Sequence, residues 1–172
     1  MAVREILHFP DKRLRLRAKP VERFDDDLRQ MIDDMAETMY AGRGVGLAAP
    51  QIGVPLRVFV VDAANNEEGA PSELRVFVNP EVVTAEGEVI WNEGCLSFPG
   101  IREDVRRAER VKVRAQDVNG QWFELEAEDL LAIAIQHEND HLAGTLIIDH
   151  LSLLRRRLVR RAMAKREIDA TA

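Results

Sequence analysis

The stretch Gln136-His137-Glu138-Asn139-Asp140-His141 falls in a predicted helix over residues 129–143, and it places that helix at the centre of the fold. Residues four apart on a helix face the same way, so His137 and His141 can share one divalent ion. Glu138 projects about 100° round the helix from His137, where it can take a proton from a water on the ion without ligating it. The pattern predicts a metal site with its own general base.

The alternative for this helix is a pair of histidines without a chemical role. Leu130, Ile133 and Ala134 fall on the stripe that continues through the two histidines, which makes this the apolar, inward face. Imidazole nitrogens buried without partners are destabilising, and one metal ion would satisfy both rings. Metal binding is therefore favoured over core or surface histidines.

A third ligand is expected from Cys95, the only cysteine of the chain. It lies in Glu93-Gly94-Cys95-Leu96-Ser97-Phe98-Pro99-Gly100, where two glycines and a proline predict a sharply shaped loop. A lone cysteine is more often a small buried hydrophobe. Together with the two histidines it would form a three-ligand set with an open fourth position, which is typical of catalytic sites.

Small residues dominate an earlier segment, Gly44-Val45-Gly46-Leu47-Ala48-Ala49-Pro50-Gln51-Ile52-Gly53. They let the backbone approach a ligand closely, and the Gln51 amide could stabilise negative charge developing on an oxygen. The spacing is not that of a phosphate-binding loop. Taken alone, the segment would be a tight connection between a helix and a strand.

Three motifs thus follow one another: Gly44-x-Gly46-x-Ala48-Ala49-x-Gln51, Glu93-Gly94-Cys95-Leu96-Ser97 and Gln136-His137-Glu138-x-x-His141. In this order they resemble the peptide deformylase family, in its bacterial type. The resemblance extends from about Leu7 to the helix beginning near Leu151. It implies an enzyme that hydrolyses the N-formyl group from the initiator methionine of nascent polypeptides and releases formate.

The resemblance also assigns the chemistry. It implies one divalent ion on Cys95, His137 and His141, Fe²⁺ in the cell and Zn²⁺, Ni²⁺ or Co²⁺ as alternatives in isolated protein. A water on this ion would attack the formyl carbonyl, with Glu138 as general base and then general acid. The Gln51 amide and the Leu96 backbone N–H would stabilise the tetrahedral oxygen.

A substrate pocket follows from the same resemblance. Its implied residues are Val45, Gly46, Trp91, Gly94, Arg102, Leu130, Ile133 and Ala134, with His137 beside them. Trp91 is bulkier than the aliphatic residue expected at its position, and Arg102 would lie near the bound peptide. Beyond the methionine, backbone pairing should hold the peptide.

Composition predicts one catalytic domain over residues 1–172. The chain has 172 residues, of which 46% are hydrophobic, and this is enough to form one hydrophobic core. A single cysteine excludes an internal disulfide framework and suits a reducing compartment. No apolar stretch is long enough for a signal peptide or a membrane span. The expectation is a monomer in the bacterial cytoplasm with no membrane partner.

Charge is distributed unevenly along the chain. Residues 151–172 carry seven basic and two acidic side chains, a net charge of +5. Because the net charge of the whole chain is −6, the other residues together carry −11. Leu151, Leu154, Leu158 and Ala162 keep helical spacing and predict a basic amphipathic helix at about 150–167 packed on the body. Its basic face is either merely solvated or contacts RNA phosphates. The resemblance implies docking on the ribosome near the peptide exit.

The predicted architecture is α+β, with antiparallel or mixed sheets around the central metal-binding helix and with N-terminal and C-terminal helices. Asp25-Asp26-Asp27 opens the first helix, and Gly42 ends it. Strands are predicted at 56–61, 75–83, 86–91, 105–116 and 122–127, with Asn119-Gly120 as a hairpin turn.

Two other functions are open at this point. A zincin-like metallopeptidase shares the His-Glu-x-x-His helix but takes its third ligand downstream, whereas Cys95 lies 42 residues upstream of His137. A non-catalytic, metal-stabilised ribosome-binding module would not need Glu138 and would favour a fourth strong ligand. Deformylation is preferred to both.

Overall fold

The computed structural model describes residues 2–171, in which seven strands and three α-helices alternate irregularly along the chain. In order they are α1 (Asp26–Ala41), β1 (Gly46–Ala48), β2 (Val58–Val61), β3 (Arg75–Glu86), β4 (Val89–Gly94), β5 (Arg102–Arg107), β6 (Arg110–Gln116), β7 (Trp122–Glu128), α2 (Asp129–Leu142) and α3 (Leu153–Thr171). The predicted α+β class is confirmed. No helix within residues 2–171 is both long enough and apolar enough to span a membrane.

The strands form two antiparallel sheets. One has the order β1-β2-β3-β6-β7, and the other is the pair β4-β5. Strand β2 is buried along its whole length, with Phe59 and Val61 facing one core cluster and Val58 and Val60 the other. The metal-motif helix α2 packs on the first of these faces and α1 on the second, so the sheet is covered on both sides.

Helix α1 begins where its sequence predicts. The Asp25 carboxylate accepts a hydrogen bond from the Leu28 N–H at 3.0 Å and so caps the helix. Asp26 and Asp27 add negative charge to the first turn, where the helix dipole favours it. The helix ends at Ala41 with Gly42 as its C-cap.

The prediction of one strand over 105–116 is wrong. The chain passes from β5 in the small sheet to β6 in the large one, and it crosses at Ala108. There the Gln136 side chain accepts from the Ala108 N–H at 3.0 Å and donates to its carbonyl at 2.9 Å, in place of a strand partner. Odd-numbered residues are buried both before and after the crossing, so the alternating pattern does not reveal it.

The predicted bounds of two other segments also differ. Strand β3 continues to Glu86, and the next strand begins only at Val89, after a turn in which Gly87 has a φ of +72°. The segment Gly44–Gly53 is more than a connection, because it contains β1 and a 3-10 turn over Ala49–Ile52.

The predicted apolar stripe of the C-terminal helix is wrong in part. Val159 and Met163 are its buried residues, whereas Leu154 and Leu158 are exposed. Ser152 accepts from the Arg155 N–H at the start of α3, and the Arg155 guanidinium pairs with Glu103 of β5. These contacts fix the rotation of the helix, which spacing along the sequence cannot determine.

We expect Gly144→Ala to lower the free energy of unfolding by about 2–4 kcal/mol. Gly144 follows α2 with a φ of +75°, and a Cβ there would lie 2.5 Å from the backbone oxygen of Arg15. Gly69→Ala is the matched control, because its φ is +77° but its Cβ would meet nothing within 4 Å. That variant should lose only about 1 kcal/mol. If urea denaturation gave equal losses of unfolding free energy for the two variants, the backbone clash at Gly144 would be contradicted.

Candidate metal centre

Three side chains from two distant segments meet beside α2. Cys95 lies on the turn after β4, and His137 and His141 lie one helical turn apart on α2. One ligand atom from each residue lies within 4.8 Å of the others, and Cys95 Sγ is 3.5 Å from His141 Nε2. The structure therefore brings together all three residues that the sequence nominates as ligands.

The distances and charges of this cluster fit a divalent ion. Tetrahedral coordination with ordinary metal–sulfur and metal–nitrogen bonds places such atoms about 3.5 Å apart. Burial opposes protonation of His137, but the negative charges of Cys95 and Glu138 outweigh it and raise its pKa well above the usual value. Burial and the neighbouring His137 lower the pKa of His141 to about 3. The negative charge around His137 therefore favours a cation at this cluster.

A chain of ion pairs extends from His137 to the surface. His137 Nδ1 bonds Glu93 Oε1 at 2.9 Å, and Arg107 donates to both oxygens of Glu93 at 2.7 and 2.8 Å. Arg107 also donates to Asp140 at 2.6 Å, and Asp140 bonds His150 Nε2 at 2.8 Å. With Nδ1 held by Glu93, His137 presents Nε2 to an ion.

Sequence reasoning did not assign a role to Glu93, Arg107 or Asp140. Burial would raise the pKa of Glu93, but its hydrogen bonds to Arg107 and His137 prevail and lower it, so this carboxylate stays ionised. Glu93 could have been found, since ligating histidines usually donate their other nitrogen to a carboxylate. No comparable signal marks Arg107, whose position depends on how β4 pairs with β5.

Glu138 is buried beside the three ligands. Its Oε1 has no hydrogen-bond partner within residues 2–171, and Oε2 lies against the Cα of Gly46, where a Cβ would be only 2.5 Å away. Burial is the main reason that the pKa of Glu138 is raised to about 7. A carboxyl group with this pKa can both accept and return a proton near neutral pH.

Two hydrogen-bond donors also lie beside the cluster. Gln51 accepts from the Ala48 N–H through Oε1, which turns its Nε2 toward Ser97 Oγ at 3.1 Å and Cys95 Sγ at 3.7 Å. Leu96 follows Cys95 directly, and no protein acceptor within residues 2–171 takes its backbone N–H. Both groups can donate to an oxygen placed next to the cluster.

A cavity of about 630 Å³ opens beside these groups. Its lining includes every residue that the sequence nominates for substrate binding, namely Val45, Gly46, Trp91, Gly94, Arg102, Leu130, Ile133 and Ala134. Gln51, Leu96 and Glu138 line it as well. Arg102 donates to the Asn92 side chain at 2.8 Å and to the Asn92 carbonyl at 2.9 Å, which holds its guanidinium over Gly94.

Known proteins resemble this chain closely. The sequence model of the polypeptide deformylase family matches residues 3–157. A peptide deformylase of Chromobacterium violaceum is 52% identical over 167 residues, which cover 97% of this chain and 98% of that protein. One of Alkalilimnicola ehrlichii is 53% identical over 165 residues, or 96% and 91% of the two chains.

Solved structures give the same result. The crystal structure of a peptide deformylase from Legionella pneumophila has a TM-score of 0.92 and 50% identity, covering 99% of each chain. That of a peptide deformylase from Ehrlichia chaffeensis in complex with actinonin has a TM-score of 0.91 and 38% identity. The matched region covers 97% of this chain and 99% of the chain in that structure.

Proposed function

The chain belongs to the polypeptide deformylase family, and we propose that Cys95, His137, His141 and Glu138 form the centre at which it acts. The enzyme removes the N-formyl group from the formyl-methionine of nascent polypeptides and releases formate. The observation that carries the proposed centre is the meeting of three ligand atoms and one buried, unpartnered carboxylate oxygen beside the cavity. Neither a zincin-like peptidase nor a non-catalytic module is favoured.

The family is a metalloenzyme family, and the Cys/His/His cluster is the proposed site of its ion. A divalent ion bound there would supply a Lewis acid that lowers the pKa of water and polarises the formyl carbonyl. We propose Fe²⁺ in the cell, with Zn²⁺, Ni²⁺ or Co²⁺ as alternatives in isolated protein. One thiolate and two imidazoles suit several divalent ions.

Glu138 moves the proton. Its free Oε1 accepts a proton from the attacking water, and the same carboxyl group then donates it to the departing amine. Burial supports both halves of this cycle, because it raises the pKa of Glu138 to about 7.

Gln51 and Leu96 stabilise the carbonyl oxygen as it gains negative charge. The Gln51 amide has two N–H groups, and its bond to Ser97 occupies one of them. The other donates to Cys95 Sγ at 3.7 Å, a long contact that an oxygen beside Cys95 could replace, and the backbone N–H of Leu96 is a second donor to that oxygen. Fixed donors of this kind act without reorganisation during the reaction.

The cavity binds the start of the peptide. Ile133 and Ala134 are buried on its wall, with Leu130, Val45 and Trp91 partly exposed around them, and together they form an apolar pocket for the methionine side chain. Gly46, the first residue of β1, and Gly94, the last of β4, both line the cavity, and their backbones are proposed to pair with the peptide. Such pairing tolerates varied sequence beyond the methionine.

Further proposals concern the setting of the enzyme. We propose that residues 1–172 form one catalytic domain that acts as a monomer in the bacterial cytoplasm, where nascent formyl-methionyl chains are made. The basic C-terminal helix is proposed to contact the ribosome near the peptide exit. Arg157, Arg160 and Arg161 support this, because they are exposed on α3 and can meet RNA phosphates.

We expect Gly46→Ala to lower kcat/KM at least about tenfold, because small displacements of catalytic groups have large effects on rate. The new Cβ would lie 2.5 Å from Glu138 Oε2 and would displace the carboxylate. Gly42→Ala is the control, since its Cβ would approach only the flexible Leu96 side chain and the Thr38 carbonyl at 3.1 Å or more. Equal activity of the two variants in a formate-release assay would show that Glu138 does not depend on this contact.

Product analysis tests the proposed function. Metal-loaded protein is incubated with formyl-Met-Ala-Ser and with a longer formylated peptide, and the products are identified by mass spectrometry. We expect loss of the formyl group alone, with every internal peptide bond intact. Cleavage of internal bonds would support the metallopeptidase instead.

A further inference from the structure

Three arginines lie in or beside the lining of the substrate cavity, and we call them the arginine rim: Arg43, Arg102 and Arg166. Arg43 and Arg102 belong to the cavity lining itself. Arg166 comes from α3 and lies over Gly100, another lining residue, where a Cβ would be 3.0 Å from its Nη1. The last turns of α3 therefore reach the cavity opening.

The rim arginines have no direct carboxylate partner among the described residues, although Asp104 accepts from the Asn92 side chain to which Arg102 donates. Among the described residues that line the cavity, the carboxylates are Glu93 and Glu138, both buried, and Glu93 is already bound to Arg107. Within residues 2–171, no carboxylate forms an ion pair with any rim arginine. Arg102 donates instead to neutral acceptors of Asn92.

Arg43 holds its place in an unfavourable backbone conformation. Its φ is +57°, in the left-handed region that residues other than Gly, Asn and Asp rarely adopt. Its N–H donates to Tyr40 O at 3.0 Å and the next N–H, of Gly44, donates to Met39 O at 3.0 Å. This bend carries the chain from α1 into β1 and places Arg43 at the opening. A strained residue at the edge of a site is consistent with a role there.

We propose that the arginine rim makes the enzyme prefer formyl-methionyl peptides with Asp or Glu shortly after the methionine. The inference rests on the proposed function, which puts the formyl group at the metal cluster and the methionine in the pocket. The following residues must then leave the cavity past the rim. Each exposed pair of opposite charges strengthens binding weakly, by a factor of about two to five in the binding constant, and salt screens the attraction.

The test compares amidated peptides, so that no terminal carboxylate interferes: formyl-Met-Ala-Asp, formyl-Met-Ala-Lys and formyl-Met-Ala-Ser. We expect kcat/KM for the Asp peptide to exceed that for the Lys peptide by about tenfold at low salt. The ratio should approach one in 1 M NaCl, where screening acts over about 3 Å. A ratio near one at low salt would overturn the inference.

Charge reversal at the rim assigns the preference to these residues. In the double variant Arg43→Asp, Arg166→Glu, the ratio should fall to one or below, and aspartate tolerates the backbone conformation of residue 43. The neutral pair Arg43→Gly, Arg166→Gln should give an intermediate ratio, and glycine fits this φ best. The ratio is internal to each variant, so a general loss of activity does not alter it.

Arg23→Glu is the matched control for net charge. Arg23 is exposed and precedes α1, whereas Arg43 follows that helix. The 16 residues of α1 span about 24 Å and separate the two arginines. It should keep the parental ratio, and an equal fall in control and double variant would overturn the inference. If formyl-Met-Ala-Ser is not deformylated at all, the proposed function fails. If it is deformylated without a charge preference, only the rim assignment fails.

Discussion

Replacement of Glu138 by glutamine is expected to lower kcat for formyl-Met-Ala-Ser by about 10²–10⁴-fold while the bound metal remains. The amide has the size of the carboxyl group and fits the same contact with Gly46, but it cannot accept a proton from water. Glu138 projects beside the three ligand atoms and is not one of them, so the affinity for the ion should change little.

The measurement combines formate release with metal content per protein molecule. Glu126→Gln makes the same chemical change at an exposed position on β7 and should retain parental activity. A Glu138→Gln enzyme within threefold of the parent would exclude the role as base. Loss of the ion in this variant would mean that Glu138 acts as a ligand.

Replacement of Arg107 by alanine is expected to lower the free energy of unfolding by about 3–5 kcal/mol. The Arg107 side chain is 4% exposed and bonds both oxygens of Glu93 and one of Asp140. Its removal leaves the Glu93 carboxylate buried without its cation, directly against His137. The ion should also bind about 10–100-fold more weakly, because the Glu93 carboxylate that orients His137 is no longer held by Arg107.

Arg106 provides the control for this prediction. It is the next residue along β5, its side chain is 71% exposed, and it pairs with Glu88 at the surface. Arg106→Ala should lower the free energy of unfolding by less than about 1 kcal/mol. Urea denaturation of the two variants, with metal affinity measured alongside, checks the difference. Equal costs would contradict a structural role for the buried ion-pair chain.

Local chemistry made much of this fold predictable. Asp25 caps α1 through its own side chain, and Gly144 at φ +75° follows the end of α2. These signals act within a few residues, so they can be read from sequence. The crossing at Ala108 cannot be read in this way, because the Gln136 side chain that stabilises it lies 28 residues away.

The candidate site shows the same division. Cys95, His137 and His141 could be nominated because thiol and imidazole groups are rare in this chain and chemically distinctive. Arg107 could not, since it is one of many arginines and only the pairing of β4 with β5 brings it to Glu93. The face that α3 buries depends likewise on distant contacts, including the one between Arg155 and Glu103.

Formate release at a known metal content tests the central claim most directly. The parent and Cys95→Ala are loaded anaerobically with iron, freed of excess metal and given formyl-Met-Ala-Ser. The parent should retain about one ion per chain and release one formate for each free amino terminus formed, whereas Cys95→Ala should lose both the ion and the activity. Absence of formate from the loaded parent, or full activity of Cys95→Ala without metal, would contradict the assignment of this cluster as the deformylase centre.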